Sequence, residues 1–229
     1  MCNLYSDIPK ASGLQLLFRF EQGTVGNLPP AYRIYPDTSA RIVRVGPNGE
    51  RVLANARWGM PTPPQFITGK ADRGVTNVRN VGSPHWRQWL KTEHRCVVPA
   101  TAFAEPTPAP DPATGKKGNV WFGRTGEEDL FAFAGIWTTW SGVRKVKDGP
   151  IIADLFGILT TQPNGVVAPI HPKAMPVILT TLEEVDIWLT APIKDALQLQ
   201  RPLPDDLLQI IEAPPEAAPE PSNDLFAKV

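Results

Sequence analysis

Proline sets the first limit on what this chain can fold into. It makes up 26 of the 229 residues, roughly twice its average share. Inside a helix or a central strand it removes a hydrogen bond. The stretches it leaves read mostly as short β-branched or aromatic runs. Ala40–Val45 and Arg51–Ala56 flank the turn signal Pro47-Asn48-Gly49-Glu50, a hairpin pattern. Arg95–Val98, Asn119–Phe122, Leu130–Thr138, Leu155–Thr160 and Met175–Leu179 are further predicted strands. Predicted helices are fewer and peripheral: Leu14–Phe20, a segment opened by Ser83-Pro84, one opened by the capping box Thr181-Leu182-Glu183-Glu184, then Asp195–Gln200 and Asp205–Ile211. Strands without regular βαβ alternation predict an α+β fold, a single domain with a mixed, barrel-like sheet core and peripheral helices. That domain is expected over residues 1–211. Residues 212–229, with Pro214, Pro215, Pro219 and Pro221 among acidic and alanine residues, are expected to form a disordered acidic tail.

Composition removes several function classes. Two cysteines, Cys2 and Cys96, make no disulfide framework, and no apolar run reaches membrane-spanning length. No basic-then-apolar leader opens the chain, so a cytoplasmic protein is expected. His94 and Cys96 stand close together without a second pair, so no metal site is expected. Neither a GxGxxG nor a Walker loop is present, and no cofactor is predicted. The formal charge of zero hides an asymmetry: residues 1–124 carry 16 Lys+Arg against 8 Asp+Glu, residues 125–229 carry 7 against 15. A basic front half is compatible with an anion-binding face, while part of the acidity belongs to the tail. Nothing in the sequence specifies an oligomer, and a monomer is expected.

Cys2 follows the initiator Met1 directly, and its small side chain suits removal of that methionine. The exposed cysteine would then carry a thiol and a primary amine on adjacent carbons, a pair that condenses with an aldehyde to a five-membered thiazolidine. An α-amine has a lower pKa than a lysine and is a far better nucleophile at neutral pH. A chance Met-Cys start is the competing reading, so the case depends on residues further along.

Four other positions stand out. Glu105 ends the apolar run Val97–Ala104, where partial desolvation would raise its pKa and suit proton transfer; it equally well marks the point where a strand meets solvent. His171 sits between Pro169 and Pro172 just before a buried strand, aimed for proton exchange or for capping a loop carbonyl. Asn77, in Thr76-Asn77-Val78-Arg79, offers an amide to an amine or sugar hydroxyl, with Arg79 as a phosphate contact; turn chemistry explains the asparagine as well. Trp58, before Gly59, is a base-stacking platform or a core tryptophan.

In order along the chain, Met1-Cys2-Asn3-Leu4-Tyr5, Arg57-Trp58-Gly59-Met60, Thr76-Asn77-Val78-Arg79, Arg95-Cys96-Val97-Val98-Pro99-Ala100 through Phe103 and Glu105, Phe133-Ala134-Gly135-Ile136-Trp137, Thr160-Thr161 with Asn164, and Ile170-His171-Pro172 through Met175-Pro176-Val177 resemble the SOS-response-associated peptidase (SRAP) family. The resemblance implies a DNA-damage protein that binds abasic sites in single-stranded DNA. It implies Cys2 as nucleophile after loss of Met1, a covalent thiazolidine crosslink, and Asn77, Glu105 and His171 as its companions. It further implies phosphate contacts from Arg79 and Lys173, with Trp58 close to the DNA path. The chain departs from the family pattern at Asn3-Leu4, where many members have Gly-Arg, and at Pro106, where an aromatic often follows the glutamate.

Two other functions use the same residues. A cysteine peptidase or amidase would take Cys2 as acyl nucleophile and His171 as base. A non-catalytic single-strand binder would use the basic front half alone, with salt-sensitive binding and no covalent product.

Overall fold

The structure, a computed structural model, describes residues 2–8, 17–19 and 31–216. Its strands are β1 (Tyr5–Asp7), β2 (Ala31–Ile34), β3 (Ser39–Val45), β4 (Arg51–Trp58), β5 (Asn77–Val78), β6 (Arg95–Ala100), β7 (Ala102–Pro106), β8 (Asn119–Arg124), β9 (Phe131–Val143), β10 (Pro150–Thr161), β11 (Met175–Pro176), β12 (Ile178–Leu179) and β13 (Leu208–Ile211). The short helices that lie wholly within the described residues are α1 (Pro84–Arg87), α2 (Leu182–Thr190) and α3 (Ile193–Ala196).

The pairing β10-β4-β3-β6-β9 closes on itself because β9 also pairs β10, which makes a five-stranded barrel. Among the described strands, β4 and β5 run parallel to β10 and the other barrel pairings are antiparallel, so the sheet is mixed. Closure spares the barrel strands open edges. A second sheet, β13-β8-β7-β1-β2, packs beside it.

Period-2 alternation sorts the barrel side chains into two cores. Ile42, Ala54, Cys96, Val98, Phe133, Phe156 and Ile158 share one cluster with Cys2 and with Tyr5, Phe103 and Phe122 of the second sheet. Their neighbours Val43, Leu53, Val97, Ala134, Ile136 and Leu155 form another with Trp86, Trp89, Val185, Trp188 and Leu189 of the helical layer. Gly49, at φ +85°, supplies the left-handed residue of the β3–β4 turn, where the Gly46 amide donates to Glu50 O at 2.8 Å.

Most predicted strands are present, with β9 and β10 longer than the apolar runs suggest. Ser83-Pro84 opens only one turn, and Ser83 makes no side-chain cap. Thr181 does cap α2, accepting from the Glu184 amide at 3.2 Å. The Glu184 carboxylate reaches one residue further back than a capping box requires, to the Thr180 amide at 2.8 Å. Asp195–Gln200 is partly helical, in α3 and a following 3₁₀ turn.

Asp205–Ile211 is not the predicted helix. It is a 3₁₀ turn over Asp205–Leu207 followed by β13, whose Leu208 and Ile211 pair Arg124 and Trp121 of β8. An available sheet edge outweighed weak local propensity. The predicted Leu14–Phe20 helix lies mostly outside the described residues, although 17 and 18 are helical. Of the predicted tail, 212–216 are described and carry no regular element. Arg33, stacked 4.4 Å over Trp121, donates to Pro214 O at 2.9 Å there. Residues 217–229 lie outside the described residues.

Candidate active site

β1 and β7 run antiparallel with Tyr5 opposite Phe103, and the Ala104 amide donates to Leu4 O at 2.9 Å. That register brings Cys2, just before β1, to the end of β7 that carries Glu105. Both are buried: Cys2 is 1% exposed and Glu105 0%. The Cys2 thiol donates to Leu4 O at 3.5 Å.

Asn77 arrives from the barrel side. β5 pairs β10 in parallel, Asn77 opposite Ile158, and Thr76 O accepts both the Ile158 amide at 2.9 Å and the Trp58 indole N–H at 3.0 Å. So fixed, the Asn77 amide nitrogen donates to Cys2 O and to Thr76 Oγ1, each at 2.8 Å. Asn77 Oδ1 is buried and has no hydrogen-bond partner among the described residues, which leaves an acceptor at the site. Thr76 Oγ1 continues the chain of contacts to Asn3 Oδ1 at 3.3 Å.

His171 comes from the turn after β10. Asn164 builds that turn: its Oδ1 accepts from the Val167 amide at 3.0 Å and its Nδ2 donates to Leu203 O at 3.0 Å. The His171 amide then donates to Val167 O at 2.8 Å. His171 Nδ1 lies 2.8 Å from Ala174 O and 3.9 Å from Glu105 Oε2. A carbonyl only accepts, so Nδ1 carries a hydrogen, and whenever the ring is neutral Nε2 is its proton-accepting nitrogen.

The electrostatics follow from burial. Desolvation pushes the Glu105 carboxyl above its usual range, opposed by the positive charges of the chain's amino terminus and His171. Desolvation, reinforced by the Glu105 charge, pushes the Cys2 thiol far above its usual range. The thiol is therefore held protonated, and the carboxyl retains its proton at higher pH than an exposed glutamate would. A nucleophilic amine at residue 2 would meet a proton donor, a proton acceptor and a fixed amide.

The structure thus brings together Cys2, Asn77, Glu105 and His171. Arg79, two residues beyond Asn77, is half-buried; its Nη1 has no partner among the described residues, and Gln200 holds its carbonyl at 2.9 Å. Lys173 is exposed beside His171. Trp58 takes the core role: it is 1% exposed, stacks on Phe156 with ring centroids 6.2 Å apart, and meets Tyr5 edge-on at 5.2 Å. It offers no open face to a base; its part is to hold Thr76. Thr76 and the supporting role of Asn164 were not legible beforehand, because a threonine beside an asparagine does not reveal which hydroxyl faces which amide. Among the described residues, no group of three or more His, Cys, Asp or Glu could hold a metal ion, and no helix is long and apolar enough to cross a membrane.

Known proteins resemble this chain in sequence pattern and in fold. The family described as SOS response associated peptidase (SRAP) matches residues 1–216. No curated protein sequence matches the chain. Among solved structures, a protein from Bordetella bronchiseptica superposes with a TM-score of 0.69 at 24% identity, covering 92% of this chain and 100% of its own. One from Bacteroides thetaiotaomicron gives 0.68 at 22%, with 92% of each chain covered. A phage-related protein from Bordetella bronchiseptica gives 0.65 at 19%, over 92% of this chain and 94% of its own. At these identities the structures share the fold.

Proposed function

The chain belongs to the SOS response associated peptidase (SRAP) family, and from that premise we propose that it captures abasic sites in single-stranded DNA as a covalent thiazolidine on Cys2, after removal of Met1. One observation carries the reading. The segment behind the initiator methionine is buried against a carboxyl of raised pKa, with His171 Nδ1 3.9 Å from that carboxyl and the Asn77 amide 2.8 Å from Cys2 O.

The amine leads, because burial keeps the thiol protonated. It adds to the aldehyde carbon of the ring-opened abasic sugar and forms a carbinolamine. Glu105, protonated, gives its proton to the carbinolamine hydroxyl, which leaves as water and yields an iminium ion. Sulfur then bonds to the same carbon, and the Glu105 carboxylate takes the thiol proton. The net reaction is aldehyde plus aminothiol to thiazolidine plus water, and Glu105 ends as it began. His171 Nε2 relays protons at the mouth, and Asn77 holds residue 2 so that amine and thiol address one carbon. The raised thiol pKa weighs against a cysteine peptidase, which needs a thiolate before acyl transfer.

The test is a denaturing gel of protein shown by mass to have lost Met1, mixed with single-stranded oligonucleotides with and without one abasic site. A shifted band that needs both the abasic site and Cys2 supports the reading. A band that survives Cys2→Ala, or no band at all, overturns it in favour of a passive binder or a peptidase.

A further inference from the structure

The segment between β7 and β8 grows directly out of Glu105. Glu105 pairs Val120 and Pro106 pairs Asn119; the ladder continues with the Thr107 amide donating to Gly118 O at 3.0 Å. Beyond it the chain forms a built arm rather than a slack loop. The Gly118 amide donates to Thr107 Oγ1 at 3.1 Å, and Thr107 Oγ1 donates to Ala109 O at 2.8 Å. At the tip, the Asp111 amide donates to Lys116 O at 2.9 Å and the Gly115 amide to Asp111 O at 2.8 Å. Asp111 Oδ1 accepts the Ala113 and Thr114 amides at 2.8 and 2.9 Å. Pro106, Pro108, Pro110 and Pro112 stiffen the outgoing side, and Gly115, at φ +67°, closes the turn.

This arm displays Lys116 and Lys117 on its returning side, both exposed and in no ion pair among the described residues. Its one carboxylate, Asp111, is turned onto backbone amides. At about 3.3 Å per residue, the two lysines stand about 7–10 Å past the level of Pro106. Cys2 lies at that same end of the sheet. Lys173, two residues after His171, is the other exposed lysine on a segment of the site. Each partner of the Glu105–His171 pair therefore carries lysine on its own chain segment.

We infer that the Thr107–Gly118 arm is a phosphate clasp, in which Lys116 and Lys117 hold the backbone of the single strand next to the residue that enters the site. The inference rests on the single-stranded DNA reading above and adds to it the element that grips the flanking strand. A proline-stiffened arm keeps two ammonium groups at a fixed distance from the nucleophile, which loses less entropy on binding than a free loop. Ammonium groups supply sequence-independent contacts and leave the chemistry at Cys2 untouched.

Salt dependence tests this directly. For single strands, log K falls with log salt by about 0.7 for each phosphate neutralised. Fluorescence anisotropy with a labelled single-stranded oligonucleotide lacking an abasic site measures binding without the covalent step. For Lys116→Ala/Lys117→Ala the slope is expected to shrink by about 1.4, so that between 50 and 200 mM salt the parent loses about sevenfold more affinity than the variant. Crosslinking to an abasic oligonucleotide at saturating DNA stays at the parent rate, and Lys116→Arg/Lys117→Arg keeps the parent slope. The control Lys91→Ala/Lys194→Ala removes two exposed lysines from the helix-covered side and leaves the slope alone. An unchanged slope in the arm variant overturns the clasp, as does an equal loss in the control. A parent protein that binds no single strand overturns the DNA reading itself.

Discussion

His171 Nδ1 lies 3.9 Å from Glu105 Oε2, and the same nitrogen is 2.8 Å from Ala174 O. The histidine is thus oriented by its own loop and poised against a carboxyl that is 0% exposed. In the mechanism proposed above, this pair would set which group gives a proton and which takes one.

Glu105→Gln is expected to slow crosslinking by about 10²–10⁴-fold, the usual worth of a positioned acid or base. Burial raises the Glu105 pKa, so in the proposed mechanism the protonated carboxyl carries the rate, which is expected to fall as pH rises through the raised pKa. The variant loses that limb. Single-turnover rates across a pH series check both points, and a variant with the parent's rate and pH profile removes Glu105 from the chemistry.

Asn77→Ala deletes the donor to Cys2 O. Misplacing the reacting residue is expected to cost on the order of 10²-fold in crosslinking rate. Binding to an intact single strand stays the same. A loss of binding with an unchanged rate at saturation would assign Asn77 to DNA contact instead of positioning.

β1 is anchored to β3 by a buried ion pair: Arg41 Nε donates to Asp7 Oδ2 at 2.7 Å and Arg41 Nη2 to Asp7 O at 3.2 Å. Desolvation nevertheless pushes the Asp7 carboxyl up to about 6 from 3.8, with Arg41 opposing. The folded state then binds the proton more tightly than the unfolded state. Stability from this group is full below the unfolded value and falls as pH rises from about 4 to about 6, by about 3 kcal/mol. Asp7→Asn removes that dependence. Urea unfolding at pH 4 and pH 7 is expected to show the variant gaining on the parent at the higher pH; a pH-independent difference refutes the assignment.

Gly135 sits on β9 between Cys96 of β6 and Ile158 of β10. A Cβ there would stand 3.0 Å from Cys96 Sγ and from Gly157 O, and 3.3 Å from Val98 Cγ2. Gly135→Ala is expected to destabilise the barrel by about 1–3 kcal/mol through overpacking. A urea midpoint at or above the parent's would show that the barrel has room to spare.

By itself the sequence determined the class of fold and the family. Short apolar and β-branched runs at 40–45, 51–56 and 95–98, the first two flanking a turn signal, announce strands. The ordered motifs that contain Asn77, Glu105 and His171 announce the family. The short strands β1, β2 and β5 carry too few residues for any periodicity, and β13 reads as helix until β8 offers it an edge. Tertiary structure alone decided that Trp58 lies in the core, that Thr76 links Asn3 to Asn77, and that the amide of Asn77 meets Cys2 O across 75 positions of chain. The physical reason is barrel closure. Local pattern says which face a side chain takes, but only the register of distant strands says what stands opposite it, and burial at that meeting point raises the pKa values of Glu105 and Cys2.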